Sequence, residues 1–187
     1  MSKPSETSKK TYRTPALRLA FCGVAISLAI ISSEFLPSFS LPFGGSITLF
    51  SMLFVSLIGH WYGVKFGILG ALAYGLLQFI LHPMFYTIPQ FLVDYLLAFG
   101  SLGLSGLFSG KKHGLIAGYI TGVIGRYIFA VLSGVLFFAS YAPEGTPALV
   151  YSLSYNATYI FPEMIVTLIL LGLPPVNNAL ESIKKLA

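Results

Sequence analysis

Residues 115–139 run with a single charged side chain, Arg126, and residues 88–108 with a single one, Asp94. An apolar helix of roughly 20 residues is what crosses the hydrocarbon core of a bilayer. Inside lipid, only helices and closed barrels satisfy every backbone donor and acceptor. Runs of this kind restrict the chain to membrane-spanning helices, and six stand out: residues 16–35, 47–62, 64–81, 88–108, 115–139 and 148–173. Charged residues make up 9% of the 187, against roughly 25% in soluble domains. Most of the surface therefore does not face water. The predicted fold class is an all-α membrane protein, a compact bundle of six transmembrane helices in one domain.

Glycine and proline clusters mark the joints: "LPSFSLPFGGS", "HPMFYTIP", "SGKKHG" and "YAPEGTP" each break helical periodicity with turn residues. The second and third runs are separated by little more than Gly63. This organisation predicts a basic N-terminal segment over residues 1–15, the transmembrane domain over 16–173 and a polar C-terminal tail over 174–187. Lys3, Lys9, Lys10, Arg13 and Arg18 precede or open the first run, Lys65 marks the second joint, Lys111 and Lys112 the fourth, and Lys184 and Lys185 the tail. With six passes all of these fall on one side, and the three opposite loops hold no lysine or arginine. Short cytoplasmic loops are enriched in these residues, so both termini are predicted to be cytoplasmic. The net charge of +5 is then a topology signal rather than a nucleic-acid footprint. No clear small-residue cleavage site follows the first run, which reads as a helix and not a signal peptide.

Ionisable groups inside a span cost about 2.5 to 3.5 kcal/mol on insertion scales and mark function or pairing. Glu34, Asp94, Arg126 and Glu163 qualify. Asp94, about six residues into the fourth run, lies roughly 9 Å below the outer edge at about 1.5 Å per residue. Tyr151 and Asn156 of the sixth run share that outer half. Ser152 and Asn156 lie on one helix face, as do Tyr151 and Tyr155. Tyr95 adjoins Asp94, and His82, Tyr86 and Tyr141 come from the outer loops or helix ends. Together they predict a polar, aromatic cup for a flat, nitrogen-containing, cationic ligand, because ring faces attract cations while Asp and Asn pair with ring nitrogens or an amine. The competing reading is an aromatic belt with Asn156 bridging two helices. Arg126 and Glu163 read as a structural ion pair, and Glu34 as a carboxylate in reach of water.

Gly23 with Ser27, and Ala25 with Ala29, form small-xxx-small pairs on the first run that allow close approach of a helix of the same chain or of another subunit. Several chemistries lack their motifs. There is no G-x-x-x-x-G-K-[ST], no H-E-x-x-H, and no G-x-S-x-G. The lone Cys22 excludes a disulfide framework, and His60, His82 and His113 fall at different joints. These absences argue against an enzyme and leave no cofactor expected in the chain.

"GRYIFAVLSGVLFFASYAPEGTPALVYSLSYNATYIFP" and "PQFLVDYLLAFGSLGLSGLF", and more weakly "GGSITLFSMLFVSLIGHWYGVKFGILGALAYGL", resemble the S components of energy-coupling factor (ECF) transporters, most closely the thiamin-specific group. The resemblance covers most of the chain after about residue 17. It implies a multi-pass subunit of the bacterial plasma membrane with six helices, capturing a vitamin under a lid, "LPSFSLPFGGS". It further implies docking on a transmembrane coupling subunit through Gly23, Ser27, Ala25 and Ala29, with two partner ATPases using the ATP. The resemblance implies Asp94, Tyr95, Tyr151 and Asn156 as substrate-binding residues; with His82, Tyr86 and Tyr141 of the cup and Phe138 they form the expected substrate-binding set. The chain departs from thiamin-binding relatives at Ala130, where they have histidine, and at Phe138 and Pro143, where some have tryptophan. The expected substrate is thiamin or its hydroxymethylpyrimidine precursor, with pyridoxine as the alternative. The competing functional classes are a stand-alone proton-coupled carrier using Asp94, Arg126 and Glu163, and a lipid-acting membrane enzyme.

Overall fold

The structure of the chain, a computed structural model, describes residues 14–36, 39–41, 45–84 and 86–187. Lys3, Lys9, Lys10 and Arg13, and residues 37, 38 and 42–44 of the segment read as a lid, lie outside the described residues.

Helix α1 (Pro15–Phe35) starts where Thr14, in an extended conformation, accepts a hydrogen bond from Leu17 N at 3.3 Å, with Pro15 filling the first helical position. It stops at Leu36, which precedes Pro37 and is extended, as the steric demand of a following proline requires. A two-residue antiparallel ribbon follows: β1 (Phe39–Ser40) pairs with β2 (Ser46–Ile47), placing Phe39 opposite Ile47. Phe50 then takes a left-handed conformation and opens α2 (Ser51–Tyr62).

Helix α2 is apolar all round, and almost every residue from Ser51 to Trp61 is buried. A helix without a polar face belongs inside a bundle. Its 12 residues reach only about 18 Å, short of a hydrocarbon core of about 30 Å. The second of the six expected spans is shorter still than its sequence suggests: residues 47–50 are spent on β2 and a turn. Helix α2 completes the passage from one end of the bundle to the other, and among the described residues five helices are by themselves long and apolar enough to cross. Those five are α1, α3 (Val64–Leu81), α4 (Ile88–Phe108), α5 (Gly114–Phe137) and α6 (Ala148–Gly172). An amphipathic α7 (Pro174–Leu186) follows.

Glycines let the central helices meet backbone to backbone. A Cβ on Gly59 would sit 2.8 Å from Gly106 N, one on Gly67 2.6 Å from Gly103 O, and one on Gly103 2.2 Å from Ile68 N. In lipid, where chain and solvent are equally apolar, such contacts carry helix association. Serines add cross-helix bonds from α4 and the residue after it to α2: Ser105 Oγ donates to Ser56 O at 2.8 Å and Ser109 Oγ to His60 O at 2.8 Å.

The pairs on α1 behave differently. Ala25 and Ala29 are 1% and 0% exposed within the core, so they are occupied by this chain's own packing and do not form an external docking face, contrary to expectation. Gly23 and Ser27 are exposed. Two positions along a helix turn the side chain by about 200°, so the two pairs face opposite ways and cannot share a partner.

Cations gather at one end. Arg18 lies over the Phe66 ring at 5.8 Å, which puts the start of α1 beside the α2–α3 joint and Lys65. Helix α7 folds onto the same end, with Glu181 2.9 Å from His60 Nε2 and Tyr62 OH donating to Ala187 O at 3.0 Å. Lys111 and Lys112 line a small hollow there with Asn177 and Glu181. The start of α1 and helix α7 therefore share one end of the bundle, the end opposite the cavity described next.

Candidate functional site

A cavity of about 680 Å³ occupies the lysine-free end. It is bounded by the C-terminal turns of α1, α3 and α5, the first turns of α4 and α6, and the segment carrying β2. Asp94, Tyr95, His82, Phe138, Tyr141, Tyr151 and Asn156 all line it. Tyr86 stands at the rim instead, its hydroxyl 3.4 Å from that of Tyr141 and its ring 5.8 Å from Phe138. That hydrogen bond holds the Tyr141 phenol above its ordinary value.

Helix α4 aims the carboxylate. Thr87 caps its start, accepting from Gln90 N at 3.3 Å. Gln90, 1% exposed, donates to Asp94 Oδ2 at 2.7 Å and to Met84 O at 3.0 Å, and accepts from Tyr86 N at 3.1 Å. Every polar atom of this glutamine is spent on holding Asp94 and the α3–α4 loop in register. Asp94 and Tyr95 sit in a π-helical stretch, Leu92–Leu97, a widening of the helix that recurs at functional sites. Tyr95 accepts from Met84 N at 3.0 Å and donates to His82 O at 2.8 Å, so its hydroxyl anchors the loop while its ring borders the cavity.

Helix α6 supplies an aromatic wall. Tyr151 and Tyr155 stack at 5.9 Å, and Tyr159 continues the same face one turn on. Tyr155 OH accepts from Gly45 N at 2.9 Å. Asn156 donates to Ala130 O at 3.3 Å and Ser152 O at 2.9 Å, and accepts from Tyr159 OH at 2.5 Å. Asn156 is thus both a cavity residue and a bridge between α5 and α6; the two readings are compatible. Ser152 Oγ donates to Val131 O at 2.9 Å, closing the α5–α6 contact where Gly134 leaves room: a Cβ there would lie 2.1 Å from Ser152 Oγ.

Two sequence-based readings of charge are corrected. Arg126 and Glu163 form no ion pair among the described residues. The Arg126 guanidinium lies 4.5 Å above the Phe99 ring and lines the cavity. Glu163, 2% exposed, accepts from Thr48 Oγ1 at 2.7 Å, Ser51 Oγ at 3.1 Å and Met52 N at 2.9 Å. Three neutral donors satisfy it, so no cation is needed. Glu34 is not a bystander: its Oε2 is 2.8 Å from His82 Nε2 at the cavity edge, and Ser33 and Gln78 extend the network to Tyr74.

Gln90, Gln78, Arg126 and Tyr159 also line the cavity and were not read as substrate-binding residues from the sequence. A signal existed for two of them. Gln90 precedes Asp94 by four, and Tyr159 extends the 151, 155 spacing, so both share a face with residues already singled out. Nothing local marked Gln78 or the direction of Arg126. Among the described residues, no three His, Cys, Asp or Glu side chains converge as a metal site would need.

Comparison with known proteins bears on this cavity. Residues 19–182 match the family described as "Thiamine transporter protein". The chain is 40% identical over 163 residues to the thiamine transporter ThiT of Bacillus subtilis (strain 168), covering 80% of this chain and 83% of that one. A solved structure of ThiT from Listeria monocytogenes superimposes with a TM-score of 0.66 at 25% identity, covering 86% of this chain and 96% of the other.

Proposed function

The chain belongs to the thiamine transporter family, and from that premise we propose that its cavity captures thiamin arriving from outside a bacterial plasma membrane. The observation that carries this reading is the position of Asp94: a carboxylate oriented by Gln90, facing a tyrosine ladder, at the end of the bundle remote from every described lysine. Under the positive-inside rule that end is extracellular, and both termini are cytoplasmic. Thiamin joins an aminopyrimidine to a cationic thiazolium. The carboxylate suits the aminopyrimidine, and the ring faces of Tyr151, Tyr155 and Tyr159 suit the cation. Arg126 makes the floor electropositive, so the thiazolium is directed away from it, toward the tyrosine faces.

The chain is the substrate-capture S component of an ECF importer in this proposal. It has no catalysis or cofactor of its own, and delivers the vitamin through a transmembrane coupling subunit driven by two ATPases. The exposed Gly23–Ser27 face of α1 remains available for that docking. Ala130 gives that wall a methyl group where the family resemblance implies a histidine, and the lost polar contact is what keeps hydroxymethylpyrimidine and pyridoxine as alternative substrates.

The test is calorimetric titration of the detergent-purified protein with thiamin, hydroxymethylpyrimidine and pyridoxine. Thiamin should bind most tightly. Tighter binding of either single ring would reassign the substrate, and no binding of any of the three would end the reading. Proton-driven thiamin uptake by this chain alone, in vesicles without ATP, would replace the importer proposal with a stand-alone carrier.

A further inference from the structure

Glu163 is a fully buried carboxylate in the lower half of α6 that does not line the cavity. All three of its hydrogen-bond donors, Thr48, Ser51 and Met52, belong to one short stretch, the turn after β2 and the first two residues of α2. Helix α2 has no side-chain cap of its own, because Phe50 occupies the cap position in the left-handed region. Its exposed N–H groups and positive dipole end require an acceptor. Glu163 supplies one from another helix, the inverse of a normal local cap.

The stretch that Glu163 holds is also a wall of the cavity. Gly45, Ser46 and Thr48 line it, and Ser46 and Ile47 form β2. This wall hangs from α6 at two heights: Gly45 N donates to Tyr155 OH at 2.9 Å, and Glu163 grips residues 48–52 about 12 Å further along the helix, eight residues at about 1.5 Å each. From the other side, Ser32 Oγ on α1 donates to Leu49 O. The upper tie lies in the cavity, where a ligand or water can exchange it. The lower tie is dry, with Thr48, Ser51 and Glu163 all 8% exposed or less.

We propose that Glu163 is a positioning residue for ligand retention: from beneath the cavity it sets the place of the wall segment Gly45–Thr48 against α6, and so governs how fast a bound ligand escapes. The proposal rests on the reading of the cavity as a thiamin site. Escape requires the wall to part from α6, and the grip at Glu163 resists that parting without touching the ligand. Entry uses the same parting, so loosening the grip speeds both steps, and dissociation is the step that reads retention directly.

The experiment measures association and dissociation rates of radiolabelled thiamin on the full chain in detergent, for wild type, Glu163→Gln, Ser51→Ala and the double variant. Ser51 is chosen because it bonds Glu163 and does not line the cavity, and it keeps the test valid if Glu163→Gln fails to fold. Each hydrogen bond in lipid contributes about 0.6 kcal/mol, so Ser51→Ala should raise the dissociation rate roughly threefold. Glu163→Gln should raise it roughly tenfold, and the double variant less than the product, with association rising in the same direction. Faster dissociation together with an unaltered melting temperature in Ser51→Ala supports positioning. An unchanged dissociation rate in the folded variants overturns it, even if their melting temperatures fall. Failure of the wild type to bind thiamin would instead sink the functional reading, and this inference with it.

Discussion

Asp94 shows how a single residue acquires a role through its partners. A carboxylate in a spanning helix is costly unless paired or hydrated, and here Gln90 holds Oδ2 at 2.7 Å while the carboxylate borders the cavity. Asp94→Asn should weaken thiamin binding at least tenfold, as read by calorimetry, because an amide cannot accept at both oxygens. An unchanged dissociation constant would remove Asp94 from the site. Gln90→Leu should cost about tenfold in affinity, since it leaves Asp94, Met84 O and Tyr86 N without their shared partner and each buried unsatisfied group costs about 1 to 3 kcal/mol. The aspartate itself was legible in the sequence as a charge where none should be. The choice of Asn156 was legible too, but its engagement with Ala130 O depends on how closely α5 approaches α6.

At the scale of elements, the glycines decide. Gly134 lets α6 approach α5 so closely that Ser152 and Asn156 reach carbonyls of residues 130 and 131. Gly134→Ala should displace Ser152 and lower thiamin affinity, while Gly134→Leu should also lower the melting temperature in detergent. Gly103 lies deeper, where three helices meet. Overpacking a tight contact costs about 1 to 3 kcal/mol, so Gly103→Ala should reduce thermal stability, and it should do so even in saturating ligand. Sequence spacing drew attention to the small residues of α1, where Ala25 and Ala29 turn out to pack within the chain. The glycines at 59, 67 and 103 do recur at helical spacing, Gly59–Gly63–Gly67 and Gly100–Gly103–Gly106, which marks surfaces of close approach without saying which segments meet there.

At the scale of the whole molecule, the arrangement is polarised, with cations and α7 at one end and the cavity at the other. In a Cys22→Ala background, Lys112→Cys should react with an impermeant maleimide only from the cytoplasmic side and Glu144→Cys only from outside; labelling of both from one side would refute the proposed topology. The sequence alone determined that the chain is helical and lipid-embedded, where the joints fall and which end collects the lysines, because hydropathy and positive charge act residue by residue against a solvent of fixed thickness. It could not determine that residues 51–62 form a short inner helix, that Glu163 bonds a turn more than a hundred residues away rather than Arg126, or that Arg126 turns into the cavity over Phe99. Those outcomes depend on which helices touch and at what height. Hydrogen bonds and ring contacts between distant segments are chosen by packing, and packing exists only once the bundle has closed.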